Sequence, residues 1–126
     1  MIFIITALVL FVYLLFFWEW QKNEQKFYLE EKPIIFGHRG SPSYYTENTL
    51  PSFKKALEQG ADGLEFDIRL TADGEIVIFH DENLLRMCGV NIKVGDLSYE
   101  ALQEHPLEKE RETIPLLEEI FESIDR

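Results

Sequence analysis

The chain has 126 residues, with 12 Lys and Arg against 23 Asp and Glu, and a net charge of −11. That balance excludes nucleic acid as an expected partner. Proteins that grip a phosphate backbone carry a basic stripe, whereas LEQGADGLEFD and LEKERETIPLLEE are strongly acidic. Cys88 stands alone, so no disulfide can form within the chain and the redox compartment stays open.

The first 18 residues, MIFIITALVLFVYLLFFW, contain no charge, which is long enough for a helix to cross a bilayer. A cleaved signal peptide is the competing reading, but no basic n-region and no A-x-A-like site precede Glu19. Residues 1–18 are therefore expected to be a single transmembrane anchor, with Trp18 and Trp20 at the lipid–water boundary. Lys22, Lys26 and Lys32 follow the run, which points to a membrane protein with a cytoplasmic C-terminal part. Residues 19–32 are polar and lack Gly and Pro, as suits a juxtamembrane connector, and residues 33–126 form the folded part.

That part opens with PIIFGHRG, an apolar run stopped by Gly37, which reads as a buried strand with His38 and Arg39 at its C-terminal end. A helix follows, with Thr49 as its cap, Pro51 in its first turn and Gly60 as its stop. Its apolar face is Leu50, Phe53, Ala56 and Leu57. GLEFDIRL then alternates, setting Leu64, Phe66, Ile68 and Leu70 on one side and Glu65, Asp67 and Arg69 on the other. Strand, helix and strand in succession predict a parallel βαβ opening with a right-handed crossover. On an ordinary half-buried strand the polar side meets water; inside a barrel it points at the axis.

Asp73-Gly74 marks a hairpin turn before EIVIFHD. A two-residue loop there sets Asp67 opposite His80, and a bulged loop shifts the register by one. Farther on, DLSYEALQEH predicts a short helix capped near Ser98 and ended by Pro106. IPLLEEIFESI predicts an amphipathic helix with Pro115 at its first position and Leu116, Leu117, Ile120, Phe121 and Ile124 on one face.

Singly these polar residues are weak evidence, since a lone His is more often structural than catalytic. Together they bring two imidazoles, a guanidinium and several carboxylates toward one strand end. A Glu and an Asp two apart suit a hard ion such as Mg²⁺ or Ca²⁺, whereas zinc favours more His or Cys. Two His near such an ion can divide general base and general acid work, and an Arg fork can hold a phosphate oxygen.

The ordered set HRG, ENT, the E-x-D of LEFDIRL, T-x-D-G and the HD of VIFHDENLLR resembles the glycerophosphodiester phosphodiesterase family over most of residues 34 to 125. The resemblance implies an α/β fold, the N-terminal part of a (β/α)₈ TIM barrel of the phospholipase-C-like type. It implies metal-dependent hydrolysis of glycerophosphodiesters, or of lysophospholipids as in membrane-anchored relatives, to an alcohol and glycerol 3-phosphate or a related phosphate. By motif, His38 and His80 become the acid/base pair, Arg39 the phosphate binder, Glu65 and Asp67 the ligands of Mg²⁺ or Ca²⁺, and Glu47 a supporting carboxylate.

Thr46 stands where the family usually has Pro, and MCG follows Arg86 where a Thr is common. Such a barrel needs about 200 residues or more. The later strands and a third carboxylate ligand are thus expected beyond residue 126, and the chain is expected to be a truncated product, poorly stable alone or self-associating. The second reading is a non-catalytic membrane-tethered fragment that binds a phosphorylated headgroup, an ion or a partner chain. A third is a phospholipase C or D relative of the same barrel type, differing in headgroup and bond cut.

Overall fold

The computed structural model describes residues 6–7, 9–13, 33–107, 109 and 111–124, which fall in two units, Met1–Pro33 and Ile34–Arg126. In the first unit Thr6, Ala7 and residues 9–13 are helical and exposed. Most of the expected span over 1–18, and all of the connector over 19–32, lie outside the described residues. Among the described residues no helix is long and apolar enough to cross a membrane.

In the second unit the predicted strand–helix–strand opening forms. Strand β1 (Phe36–His38) pairs in parallel with β2 (Gly63–Glu65), and the register sets His38 opposite Glu65. Helix α1 (Leu50–Glu58) connects them and buries Ser52, Phe53 and Ala56. Its C-terminus closes where expected: Gly60 N–H donates to Leu57 O (2.9 Å) and Ala61 N–H to Ala56 O (3.1 Å). Thr49 occupies the N-cap position, but its hydroxyl donates to Thr46 O (2.6 Å) and caps no helical N–H.

The run GLEFDIRL is not one strand. β2 stops at Glu65, and after Phe66 and Asp67 the chain enters β3 (Ile68–Leu70), which pairs antiparallel with β4 (Ile76–Ile78). The predicted single alternating face is accordingly lost: Phe66 packs under α1 while Ile68 and Leu70 are exposed. The register is also one step from that of a two-residue loop. Ile68 faces Ile78, and Phe79 N–H donates to Asp67 O (2.9 Å), so Phe79 stands opposite Asp67 where His80 was expected. The cause is the turn. Gly74 lies at φ 88° and donates to Thr71 O (3.1 Å), and Thr71 N–H donates to Glu75 O (3.0 Å), a three-residue loop whose last residue is left-handed.

The one-turn helix α2 (Leu85–Cys88), a 3₁₀ turn (Val94–Asp96) and α3 (Tyr99–Leu102) follow. Ser98 caps α3, its Oγ accepting from Ala101 N–H (3.2 Å), as the sequence predicts. Helix α4 spans Leu117–Ile124 and starts two residues later than Pro115. Pro115 O instead accepts from Ile78 N–H (2.9 Å), Leu116 bridges Val77, and Glu119 Oε2 caps Leu116 N–H (2.9 Å). Phe121 is exposed rather than on the buried face.

Two apolar clusters hold these elements, and β4 feeds both. Val77 and Phe79 join Leu84, Val94, Leu102, Leu107 and Ile114 on one side. Ile78 joins Phe53 and Ile120 on the other, so α1 and α4 clamp the hairpin through it. Leu64 of β2 packs against the same cluster as Ile78 of β4, although the two strands belong to separate two-stranded sheets.

Candidate active site

The loop after β1 is built around a strained arginine. Arg39 sits at φ 55°, a region that a residue other than Gly or Asn occupies only when its surroundings over-determine it. Its backbone supplies the reason. Arg39 N–H donates to Glu65 O (2.9 Å) and lies 3.1 Å from Glu65 Oε2, while Arg39 O accepts from Asn48 N–H (3.0 Å) and Ser52 Oγ (3.1 Å). The next residue must be glycine: at Gly40 (φ 87°) a Cβ would lie 2.5 Å from Ser52 Oγ and 2.7 Å from Ser52 C. The loop thereby folds back so that Glu47 and Asn48 return to Arg39.

The guanidinium of Arg39 is largely buried, 18% exposed. Its Nη1 donates to Glu47 Oε1 (3.1 Å), and its Nε lies 3.0 Å from Asp67 Oδ2. The second contact is an ion pair without hydrogen-bond alignment, so Nε is a buried donor with no acceptor in line. Such a group is costly unless something completes it. An anionic oxygen is the natural complement to a guanidinium.

Asp67 is fixed from the other side by Asn48, whose side-chain amide donates to Asp67 Oδ2 (3.2 Å). Asn48 itself is left-handed, at φ 60°. Glu65 Oε2 lies 3.9 Å from His38 Nε2. His38 is the most open of these groups, 71% exposed. Glu65 Oε1 and Asp67 Oδ1 have no hydrogen-bond partner among the described residues, leaving two hard oxygen donors on one rim. Among the described residues no group of three or more His, Cys, Asp or Glu side chains that could hold a metal ion is found.

His80 reaches the same rim by a different route. Its Nδ1 lies 2.5 Å from Asp81 Oδ1, and its carbonyl accepts from Arg69 Nη2 (2.6 Å) and Nε (3.1 Å). Arg86 grips Asp81 with one edge of its guanidinium, donating from Nε to Oδ2 (2.7 Å) and from Nη2 to Oδ1 (3.1 Å), and also donates from Nη2 to Glu47 Oε1 (2.7 Å). An unbroken row of contacts therefore runs from His38 through Glu65, Arg39, Glu47, Arg86 and Asp81 to His80. All six residues singled out from the sequence lie on it or, for Asp67, against it. Sequence reasoning assigned no role to Asn48, Asp81 or Arg86, although each lies within a quoted motif.

The charges are settled by these contacts. Burial pushes the Glu47 carboxyl up, but hydrogen bonds and charge from Arg86 and Arg39 outweigh it and hold it below its usual value. Asp81 is held down at about 2, chiefly by the hydrogen bonds from Arg86, against burial and with help from His80. The same hydrogen bonds raise Arg86 further. A groove of about 270 Å³ lies against Tyr45, Leu50, Pro51, Lys54, Lys55 and Glu58, and none of the site residues lines it. The site is an open rim.

The sequence profile of the glycerophosphoryl diester phosphodiesterase family matches residues 38–126, well over half of the chain. The chain belongs to that family. It is 44% identical over 96 residues to a glycerophosphodiester phosphodiesterase of Bacillus altitudinis, covering 71% of this chain and 39% of that protein. It is 35% identical over 115 residues to human lysophospholipase D GDPD1, covering 82% of this chain and 35% of the relative.

The fold agrees. The crystal structure of a glycerophosphodiester phosphodiesterase from Thermotoga maritima superposes with a TM-score of 0.65 at 41% identity, covering 75% of this chain and 40% of that one. A phosphodiesterase of Oleispira antarctica, solved with the product sn-glycerol-3-phosphate, gives 0.68 at 35% identity, covering 74% and 40%. The chain thus spans about two fifths or less of the length of these relatives, and its described residues correspond to part of their barrel.

Proposed function

We propose that the rim joining His38 to His80 binds a phosphodiester and cleaves it, making the chain a phosphoric diester hydrolase acting on glycerophosphodiesters or lysophospholipids. The products are an alcohol and glycerol 3-phosphate or a related phosphate. The observation that carries this reading is the Arg39 guanidinium, held between Glu47 and Asp67 within a row of contacts that begins at His38 and ends at His80. A guanidinium so placed suits an anionic phosphoryl oxygen, and carboxylates beside it suit a cation.

Enzymes of the family generally depend on a divalent metal ion. Glu65 and Asp67 would hold part of its shell, and their all-oxygen chemistry suits Mg²⁺ or Ca²⁺. When bound, such an ion offsets charge on the phosphoryl oxygens. Arg39 orients the phosphoryl group through its fork, held in place by Glu47 and Asp67. One of His38 and His80 takes the proton from the nucleophile, either water or the neighbouring glycerol hydroxyl, and the other protonates the departing alkoxide. His38 stands open to solvent at the end of β1, and His80 has Nδ1 engaged by Asp81, which leaves Nε2 for the ligand.

The uncharged run over residues 1–18 supports a single-pass membrane anchor joined by residues 19–32 to a domain over 33–126, with that domain at the cytoplasmic face. A lipid-derived substrate fits such a placement.

The test is hydrolysis of glycerophosphocholine and of a lysophospholipid by the purified chain with Mg²⁺ or Ca²⁺. Turnover that falls by about 10²-fold or more in His38→Ala and in His80→Ala supports the reading. Unchanged rates in both variants overturn it. A second reading, headgroup binding without turnover, is favoured by one observation: among the described residues no group of three or more His, Cys, Asp or Glu side chains that could hold a metal ion is found. Metal and sn-glycerol-3-phosphate binding with no product would support that reading.

A further inference from the structure

Arg86 has no part in the chemistry above, yet it touches both halves of the rim. It lies on a helix of one turn, 39 residues from Glu47 in sequence. From there it makes a two-pronged contact with Asp81 and shares Glu47 Oε1 with Arg39. We propose that Arg86 is a positioning residue that holds Arg39 and His80 in fixed relation, acting on Arg39 through Glu47 and on His80 through Asp81. This rests on the reading of Arg39 as phosphate binder and His80 as acid/base group.

An isolated surface ion pair contributes little, about 0–1 kcal/mol, so an arginine that is 47% exposed would ordinarily be unremarked. Three features set this one apart. The Asp81 contact is a fork on both carboxylate oxygens, which fixes orientation as well as distance. Two guanidinium groups converge on one Glu47 oxygen, an arrangement of like charges that is stable only because Asp67 and Asp81 flank it on either side. The result is a row of alternating sign: Asp67, Arg39, Glu47, Arg86, Asp81.

The third feature is the use of Asp81 Oδ1. That oxygen faces His80 Nδ1, so the orientation set by Arg86 decides which imidazole nitrogen keeps the proton. Without the fork, Asp81 is free to turn about two side-chain torsions, and the imidazole loses its one fixed acceptor. Glu47 likewise keeps Arg39 but loses the second cation that pins its Oε1. The low values of the Glu47 and Asp81 carboxyls keep both anions charged at neutral pH, so the row persists there.

Long-range ¹H–¹⁵N correlation of the ¹⁵N-labelled full chain at neutral pH tests the linkage, because ring shifts report which histidine nitrogen carries the proton and arginine Nε–H signals report ordered guanidinium groups. Glu47→Gln is expected to move the Arg39 Nε–H signal and leave the His80 ring unchanged. Asp81→Asn is expected to do the reverse. Arg86→Gln is expected to lose both the His80 Nδ1–H preference and the ordered Arg39 signal while the amides of β4 and α1 stay in place.

A folded Arg86→Gln chain in which either signal is unmoved overturns the proposal. Should that variant not fold, Arg86→Lys carries the test. It keeps the charge but not the fork, so the His80 ring must still shift, and an unchanged ring refutes the role. None of these readouts needs turnover, so failure here is distinct from failure of the hydrolase reading.

Discussion

Gly40 is the position at which a single methyl group should do most damage to the site. At φ 87° an alanine is in the left-handed region, and its Cβ would stand 2.5 Å from Ser52 Oγ, 2.7 Å from Ser52 C and 2.8 Å from Ser52 O. The last two are backbone atoms at the start of α1, so the clash cannot be relieved by a rotamer change. The torsional cost is about 1 kcal/mol and the overpacking about 1–3 kcal/mol, giving about 2–4 kcal/mol for Gly40→Ala. Gly74 supplies the control, since its φ is 88° and nothing lies within 4 Å of an added Cβ. Gly74→Ala should cost only the torsional part, about 1 kcal/mol. Urea unfolding of both variants, followed by far-ultraviolet circular dichroism, separates the two contributions. Equal losses at the two positions would refute the close approach of the Arg39 loop to α1, and with it the backbone anchoring of Arg39.

Two further outcomes follow from the packing and the charges. Phe53 is fully buried and meets Phe66 edge-on at 6.0 Å between α1, β4 and α4, so Phe53→Ala should lose about 3–5 kcal/mol in the same urea assay; a loss below about 1 kcal/mol would contradict the assignment of that cluster. Asp81 has a native pKa of about 2 against an ordinary 3.8, so its contribution is complete above the ordinary value and is lost as pH falls from about 4 toward 2. With Arg86 half exposed, that contribution is about 1 kcal/mol after solvent screening. Stability measured between pH 5 and pH 2 should therefore fall less steeply in Asp81→Asn than in the wild type, and identical slopes would contradict the Arg86 contact.

The parallel βαβ opening, the end of α1 at Gly60 and the Ser98 cap are local features, and each is legible because a few adjacent residues determine it. The break at Phe66 and Asp67 was not legible. GLEFDIRL has the same period on both sides of it, and only tertiary bonds, Asn48 to the Asp67 carboxylate and Phe79 to its carbonyl, show where one sheet ends and the other begins. The hairpin register stayed open between two readings for a similar reason, because an Asp-Gly pair serves two-residue and three-residue loops alike, and the structure has the three-residue loop. At the candidate site the motif residues lie on one row of contacts, but the connections within it were not legible in the sequence. Arg86 reads as one more basic residue on a short helix until the fold sets Glu47 and Asp81 on either side of it. Pro115 fitted a helix start by type, yet its carbonyl is taken by Ile78 N–H, a pairing that sequence position alone does not reveal.

Whether the segments at 38–39, 47–48, 65–67 and 80 share a single cation can be tested without any turnover. Titrating the ¹⁵N-labelled chain with Mn²⁺ should broaden the amides of those four segments together, saturably and in competition with Mg²⁺ or Ca²⁺, and Asp67→Asn should abolish the effect. Broadening scattered over the acidic surface and unaltered by Asp67→Asn, or confined to residues 65–67 while His80 stays sharp, would show that no common metal-centred site exists.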